Sequence, residues 1–249
     1  MITIFDIGMY DGTDTAYYLS LGGRVIAVEA NPLLAKRGEE RFAAEIAAGR
    51  LIIVNAAIST DRAPVELTLS ADDLGSSSMF GDRVADRQPM GSITAPGLPI
   101  LDLMQRHGVP EYLKVDIEGA DRFCILPLTR DTRPNYLSFE IGPDVEELLE
   151  HIRSIGYTRF KIINQVSLRE LANEANLRDR ALLRMIEWLG VGDPRLIRRG
   201  GRFFKAGLCS GPVPWKSDGR WYSADETLAR WRERARTAVG IHYDLQAAL

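Results

Sequence analysis

The sequence predicts an α/β fold built on a largely parallel, doubly wound sheet. Short apolar runs alternate with helix-sized segments through the first two thirds of the chain, as in sheets covered on both faces. The first two runs enclose a turn that contains Gly8 and Gly12, and the second run ends in Glu29, as in the front half of a nucleoside-binding α/β unit. With 249 residues and 45% hydrophobic content, the chain can bury one sizeable core.

The elements of the first hundred residues follow from local pattern. Glycines end the helices, and apolar runs between them indicate strands. We expect strands at 2–7, 24–30 and 51–58, and helices at 13–21 and 33–48. Residues 60–100 break this rhythm. Residues 65–69 alternate with period two, and the remainder is an irregular, polar segment rich in proline and glycine, which indicates an insertion loop beside the site.

Regular alternation returns after this insertion. We expect helices at 101–107, from about 120 and at 144–155, and strands at 112–117, 136–141, 157–164 and 203–209. Apolar residues at helical spacing predict a helical insertion at 166–202. The segment 211–249 is expected to be a helical tail, whose helix starts at a capping box formed by Ser223 and Glu226.

Composition excludes several classes of function. A net charge of −3 and a pI near 5.7 argue against a general nucleic-acid-binding protein. No apolar run reaches the ~20 residues that span a bilayer, and the first residues lack a leader-like pattern. Cys124 and Cys209 are expected to be reduced core residues, so we predict a cytoplasmic protein. No spacing of His, Cys and Asp resembles a zinc site, and we expect no metal.

The glycine turn indicates the kind of ligand. The pattern Asp6-x-Gly8-x-x-x-Gly12 differs from the G-x-G-x-x-G turn that binds a pyrophosphate. Carboxylates at Asp6, Asp11 and Asp14 would repel a pyrophosphate but attract the ammonium and sulfonium groups of S-adenosylmethionine. An ordinary βα turn, in which glycine serves geometry and a side chain caps the helix, is the structural alternative.

Four carboxylates are predicted at the carboxyl ends of strands. Ligands of open α/β sheets bind there, so Asp6, Glu29, Asp116 and Glu140 should converge on one crevice. Glu29 is placed to accept hydrogen bonds from a ribose diol. Buried carboxylates repel one another, and a cationic ligand or a metal would relieve this repulsion. Glu118 is compatible with chemistry and equally with capping of the next helix.

Several ordered motifs resemble one family. Over residues 2–165 the chain looks like the FkbM family of S-adenosylmethionine-dependent methyltransferases. The motifs are Phe5-Asp6-Ile7-Gly8, Val28-Glu29-Ala30-Asn31-Pro32, Asn55-Ala56-Ala57-Ile58, Lys114-Val115-Asp116-Ile117-Glu118-Gly119-Ala120-Asp121 and Phe139-Glu140.

This resemblance implies a single methyltransferase domain over 1–249. Its fold would be a Rossmann-like, class I methyltransferase sheet of seven mostly parallel strands with the last strand antiparallel. The reaction would transfer a methyl group from S-adenosyl-L-methionine to a hydroxyl. The implied cofactor-binding residues are Asp6, Gly8, Tyr10, Asp11, Gly12, Thr15, Glu29, Ala30, Asn31, Ala57 and Asp116. The expected catalytic residues are Asp116, Glu118 and Glu140.

The acceptor is expected to be a hydroxyl of a sugar, glycan or other natural product, with 60–100 and 166–202 forming its lid. Seven arginines between 178 and 202 suit an anionic acceptor, but also a dimer contact, a lipid-facing surface or a solvated face. A homo-oligomer is compatible with this arrangement. Two further functions stay open, an NAD(P)-dependent oxidoreductase and a catalytically inactive S-adenosylmethionine-binding module.

Overall fold

The structure is a computed structural model that describes residues 1–70, 89–117, 119–171, 196–199, 202–205, 209–236 and 242–249. The chain divides into two compact units, Met1–Gly156 and Tyr157–Leu249. The expectation of one domain over 1–249 stays a prediction.

The described residues form seven α-helices and thirteen strands. The helices are α1 Thr13–Ser20, α2 Pro32–Arg41, α3 Ala43–Ala47, α4 Ile100–His107, α5 Arg122–Ile125, α6 Val145–Ser154 and α7 Ala224–Ala235. The strands are β1 Thr3–Ile7, β2 Arg24–Glu29, β3 Leu51–Asn55, β4 Ala57–Ile58, β5 Val65–Ser70, β6 Pro89–Ala95, β7 Gly97–Leu98, β8 Tyr112–Val115, β9 Tyr136–Glu140, β10 Arg159–Asn164, β11 Leu196–Arg199, β12 Arg202–Lys205 and β13 Tyr243–Ala248.

The main sheet has seven strands in the order β10-β13-β9-β8-β1-β2-β3. In the first unit, β3, β2, β1, β8 and β9 pair in parallel, each with its neighbour. In the second unit, β13 is antiparallel to β10. The apolar β1, β2 and β8 are almost wholly buried, as expected of parallel strands covered on both faces. The predicted fold class, including the antiparallel last strand, is confirmed.

The seventh strand of the sheet is not the predicted segment 203–209. Residues Arg202–Lys205 instead form β12, which pairs with β11 in a separate two-stranded sheet. Arg202 and Phe203 are exposed, which is incompatible with a place inside the main sheet. The strand is Tyr243–Ala248, which is buried at all six positions. The tail 211–249 is therefore not wholly helical.

The two predicted insertions are only partly described. Within 60–100, the alternating residues 65–69 lie in β5, as their pattern indicated, whereas Pro89–Ala95 of the expected irregular segment form β6, which pairs with β5 in antiparallel register. Residues 71–88, and 172–195 of the helical insertion, lie outside the described residues. In the tail, the predicted capping box is confirmed at the start of α7. Within the described part of the chain, no helix is long and apolar enough to cross a bilayer.

Candidate active site

Four carboxylates lie at one edge of the first unit's sheet. Glu29 and Glu140 are the last residues of β2 and β9, Asp6 is next to last in β1, and Asp116 directly follows β8. The strands β2, β1, β8 and β9 are consecutive neighbours and run parallel. Their carboxyl ends therefore meet at the same edge, as the sequence predicted.

Both glycines of the first turn are required by the fold itself. Gly8 has φ of +84° and its N–H donates to the Val28 carbonyl at 3.0 Å. A Cβ at Gly8 would overlap the carbonyl oxygen of Asp116. Gly12 has φ of +75°, and a Cβ there would lie 2.6 Å from a ring carbon of Phe42. Gly8 lets the ends of β1 and β8 approach and Gly12 leaves room for the Phe42 ring, while the proximity of both to a ligand stays a prediction.

The Glu29 carboxylate is held by two backbone donors. The Tyr10 N–H donates to Oε2 at 2.8 Å, and the Asn31 N–H donates to Oε1 at 2.8 Å. Tyr10 reaches this position in the left-handed region, with φ of 52°, which costs a non-glycine residue energy and is common at functional sites. Burial raises the pKa of Glu29, and the two N–H donors oppose that rise. Each carboxylate oxygen keeps a further lone pair for a ligand.

A buried lysine, missed in the sequence, is the cation that balances these acids. The Nζ of Lys114 lies 3.1 Å from Asp6 Oδ1 and donates to the Gly8 carbonyl at 2.8 Å. It lies 4.0 Å from carboxylate oxygens of both Asp14 and Asp116. Burial by itself lowers the pKa of Lys114, but the carboxylates Asp6, Asp116 and Asp14 raise it well above its ordinary value. Lys114 therefore balances two of the four predicted carboxylates, Asp6 and Asp116, together with Asp14, and a cationic ligand beside the others stays a prediction.

Two further predicted cofactor residues, Thr15 and Asp11, have structural roles near the turn. The Thr15 hydroxyl donates to Asp6 Oδ2 at 2.6 Å, and both side chains are fully buried. The exposed Asp11 accepts from the N–H and the hydroxyl of Thr13, at 2.8 and 2.9 Å. These contacts orient Asp6 and start α1. Direct contact of Thr15 and Asp11 with a cofactor stays a prediction.

The end of β2 also presents an unused donor. Asn31 caps α2 by accepting the Leu33 N–H at 3.0 Å on its Oδ1. Its Nδ2 is buried and has no acceptor among the described residues. Ala30 and Ala57, also predicted to bind the cofactor, pack in a small apolar cluster with Leu67. A buried amide donor normally has a partner, so Nδ2 indicates a place for a ligand atom.

A second set of acidic side chains lies at and near the turn after β8. The side chain of Asp116 is 35% exposed, Glu140 is half-buried, and Asp121 is 5% exposed. Burial and then the charges of Asp116 and Glu140 raise the pKa of Asp121 to about 7, although backbone donors oppose this. Asp121 was not predicted as a site residue, although it ends the motif that begins at Lys114.

Glu118, predicted to be catalytic, lies outside the described residues. The described His, Cys, Asp and Glu side chains contain no group of three or more arranged to hold a metal.

Comparison with known families decides the family of this site. The profile described as Methyltransferase FkbM domain matches residues 6–159, more than half of the chain. The chain belongs to the FkbM methyltransferase family. The matched region contains every predicted site residue of this FkbM chain, and it ends just after the first compact unit.

Solved structures with similar folds include several methyltransferases. A methyltransferase FkbM from Methylobacillus flagellatus KT is 17% identical, with 66% of this chain and 39% of that chain covered and a TM-score of 0.46. A precorrin-6y C5,15-methyltransferase from Geobacter metallireducens GS-15 is 11% identical, with coverages of 99% and 78% and a TM-score of 0.39. A TehB-like SAM-dependent methyltransferase from Corynebacterium glutamicum ATCC 13032 Kitasato is 10% identical, with coverages of 65% and 68% and a TM-score of 0.36.

The chain spans 39% of the length of the Methylobacillus flagellatus protein. No curated protein sequence matches the chain significantly.

Proposed function

We propose that this FkbM-family chain is an S-adenosylmethionine-dependent O-methyltransferase acting on a hydroxyl of a sugar, glycan or other natural product. The observation that carries the proposal is Glu29, the carboxylate at the end of β2 whose two oxygens are held by the N–H groups of Tyr10 and Asn31. A carboxylate fixed in this way at a strand end suits the diol of a ribose.

The residues present fit the cofactor. Glu29 has acceptor capacity left after its two backbone bonds, and Asn31 Nδ2 supplies a buried donor that lacks an acceptor among the described residues. Asp116 and Glu140 give the neighbouring strand ends a negative charge that favours a cation. S-adenosylmethionine, when bound, supplies an electrophilic methyl group on a positively charged sulfur.

Asp116 is the residue that we propose to accept the proton of the acceptor hydroxyl. Its side chain is 35% exposed and follows β8 directly, so it is accessible at the sheet edge. A positioned base of this kind contributes about 10²–10⁴ in rate. Glu140, at the end of the adjacent β9, is placed to orient the hydroxyl. Glu118 stays a proposed alternative base.

We further propose that the acceptor is anionic. Three arginines of the cluster from 178 to 202 are described: Arg198 and Arg202 are exposed, and Arg199 donates to the Ser167 carbonyl at 2.7 Å. Exposed guanidinium groups in the second unit support an anionic acceptor such as a phosphorylated sugar. A homo-oligomer and a cytoplasmic location stay proposals from the sequence.

Transfer from methyl-labelled cofactor tests the proposed function. The protein is incubated with labelled S-adenosylmethionine and a panel of neutral and phosphorylated sugars, and products are analysed by mass spectrometry. We expect label on a hydroxyl oxygen of at least one acceptor. Binding of S-adenosylmethionine without transfer to any hydroxyl would favour the inactive binding module. Binding of NAD(H) in its place would favour the oxidoreductase.

A further inference from the structure

Asp121 is a buried carboxyl group that has no role in the methyl transfer proposed above. Its side chain is 5% exposed, and Oδ2 accepts one hydrogen bond, from the Gly119 N–H at 3.2 Å. Oδ1 is buried and has no hydrogen-bond partner in the described part of the chain. A buried carboxylate normally pairs with a cation, and Asp121 has no ion-pair partner among these residues.

The cations near Asp121 are committed to other carboxylates. The guanidinium of Arg122, the next residue, lies 3.2 Å from Glu147 and 3.9 Å from Asp144. Lys114 contacts Asp6 at 3.1 Å and stands 4.0 Å from Asp116. Asp121 therefore lacks a protein cation of its own among the described residues.

The charged groups that act on Asp121 belong to the proposed active site. Asp116 after β8 and Glu140 at the end of β9 are the carboxylates whose charges it experiences, and on α5 the buried Cys124 thiol in turn experiences its charge. The like charges of Asp116 and Glu140 oppose ionisation of this third carboxyl group. A cation placed beside Asp116 and Glu140 would reverse this effect and favour the ionised form of Asp121.

We propose that Asp121 is a proton-holding positioning residue, protonated on Oδ1 in the free protein, deprotonated when a sulfonium cation occupies the site, and reprotonated when the neutral thioether product replaces it. This inference rests on the proposed function. It assigns Asp121 the task of keeping the summed charge of the ligand and the carboxyl groups of Asp116, Asp121 and Glu140 constant while the charge of the ligand changes.

The proton balance of the reaction agrees with this assignment. The bond between sulfur and the methyl carbon breaks, and the bond between that carbon and the acceptor oxygen forms. The hydroxyl proton leaves to Asp116, which touches the acceptor, and passes to Asp121 Oδ1. The ligand loses one positive charge and Asp121 gains one proton. The summed charge of the ligand and these carboxyl groups therefore does not change. A carboxyl group with a pKa of about 7 is suited to both steps at neutral pH.

Proton linkage in calorimetry tests the inference without any acceptor. S-adenosylmethionine and S-adenosylhomocysteine are titrated into the whole protein at about pH 7, in buffers of different ionisation enthalpy. We expect S-adenosylmethionine to release up to about half a proton more than the neutral thioether, because about half of the Asp121 groups hold a proton there. Asp121→Asn should abolish this difference, whereas Asp131→Asn, at an exposed turn carboxylate, should keep it.

The outcomes separate the inference from the proposed function. Equal proton release for both ligands, or an unchanged difference in Asp121→Asn, overturns the inference and leaves the proposed function in place. Failure of the folded protein to bind S-adenosylmethionine overturns both.

A second measurement serves if Asp121→Asn does not fold. Carbon NMR of protein labelled at the aspartate carboxyl carbons should show one group titrating near pH 7, whose midpoint falls with S-adenosylmethionine but not with S-adenosylhomocysteine. The signal is assigned by its loss in Asp121→Glu. A spectrum with no such group, or with a midpoint equal in the two complexes, overturns the inference.

Discussion

At the scale of single residues, Lys114 holds the edge of the sheet together. It is the register partner of Asp6 on the adjacent parallel strand, and its Nζ also bonds the Gly8 carbonyl. One side chain thus joins the acidic residue of β1 to the glycine turn that follows it. Ion pairing and burial are coupled here, because each charge is tolerated in the interior only while its partner is present.

Lys114→Met should strongly destabilise the protein. Removing the cation leaves the fully buried Asp6 carboxylate uncompensated, which typically costs about 3–5 kcal/mol. Urea denaturation measures the free energy of unfolding. Arg62→Gln, which breaks the exposed ion pair with Asp102, is the control and should change the free energy of unfolding far less, because solvent screens an exposed pair. A Lys114→Met variant as stable as the control would contradict the assigned role.

Local pattern predicted the residues of the site better than their partners. Gly8 and Glu29 could be read from sequence because a turn and a strand end are local features. The role of Lys114 could not, because its partner Asp6 is 108 residues away and the pair forms only when β1 and β8 become neighbours. A lysine in the otherwise apolar β8 was the available signal.

At the scale of elements, β10 anchors a loop through a buried lysine. The Nζ of Lys161 donates to the carbonyls of Pro214 and Ser217, at 3.0 and 3.1 Å, and lies 4.2 Å from the centre of the Trp221 ring. Trp221 thus packs against Lys161 within the second unit. Burial lowers the pKa of Lys161 to about 8, although the charges of Asp218 and Glu170 oppose this.

This lysine predicts a pH dependence of stability. Between about pH 8 and 10.5, the folded chain has lost the Lys161 proton while the unfolded chain still holds it, so stability should rise with pH in this window. The free energy of unfolding of the parent relative to Lys161→Met should increase by about 1 kcal/mol or more from pH 7 to pH 10. Chemical denaturation at both pH values measures it. A difference that stays constant or falls would show that Lys161 keeps its proton.

The element that the sequence misplaced was the seventh strand. Tyr243–Ala248 contains the buried polar residues Asp244 and Gln246, which weaken an apolar strand pattern. Gln165 donates to Asp244 at 2.7 Å, and the Ser217 hydroxyl donates to Gln246 at 2.6 Å. Because these partners come from other parts of the second unit, local periodicity did not reveal the strand.

At the scale of the whole molecule, the parallel strands place the ends of four elements along one edge, and that edge is acidic. The protein neutralises Asp6 and its neighbours with Lys114, whereas the carboxylate of Glu29 accepts hydrogen bonds from the backbone N–H groups of Tyr10 and Asn31. We therefore assign the carboxylates around Lys114 to the stability of the fold and propose Glu29 as the one that binds a ligand. The central claim is that Glu29 binds the ribose of S-adenosylmethionine.

Calorimetric titration of S-adenosylmethionine into the parent and Glu29→Gln tests this claim most directly. Glutamine keeps the size of the side chain, and its carbonyl oxygen still accepts one backbone N–H. The charge-assisted bonds to the diol, each contributing about 1.5–3 kcal/mol, are lost. We predict a Kd at least about tenfold weaker for Glu29→Gln, and no change for Glu40→Gln, an exposed control on α2. A parent protein that does not bind the cofactor, or a Glu29→Gln protein that binds it as tightly as the parent, would contradict the account.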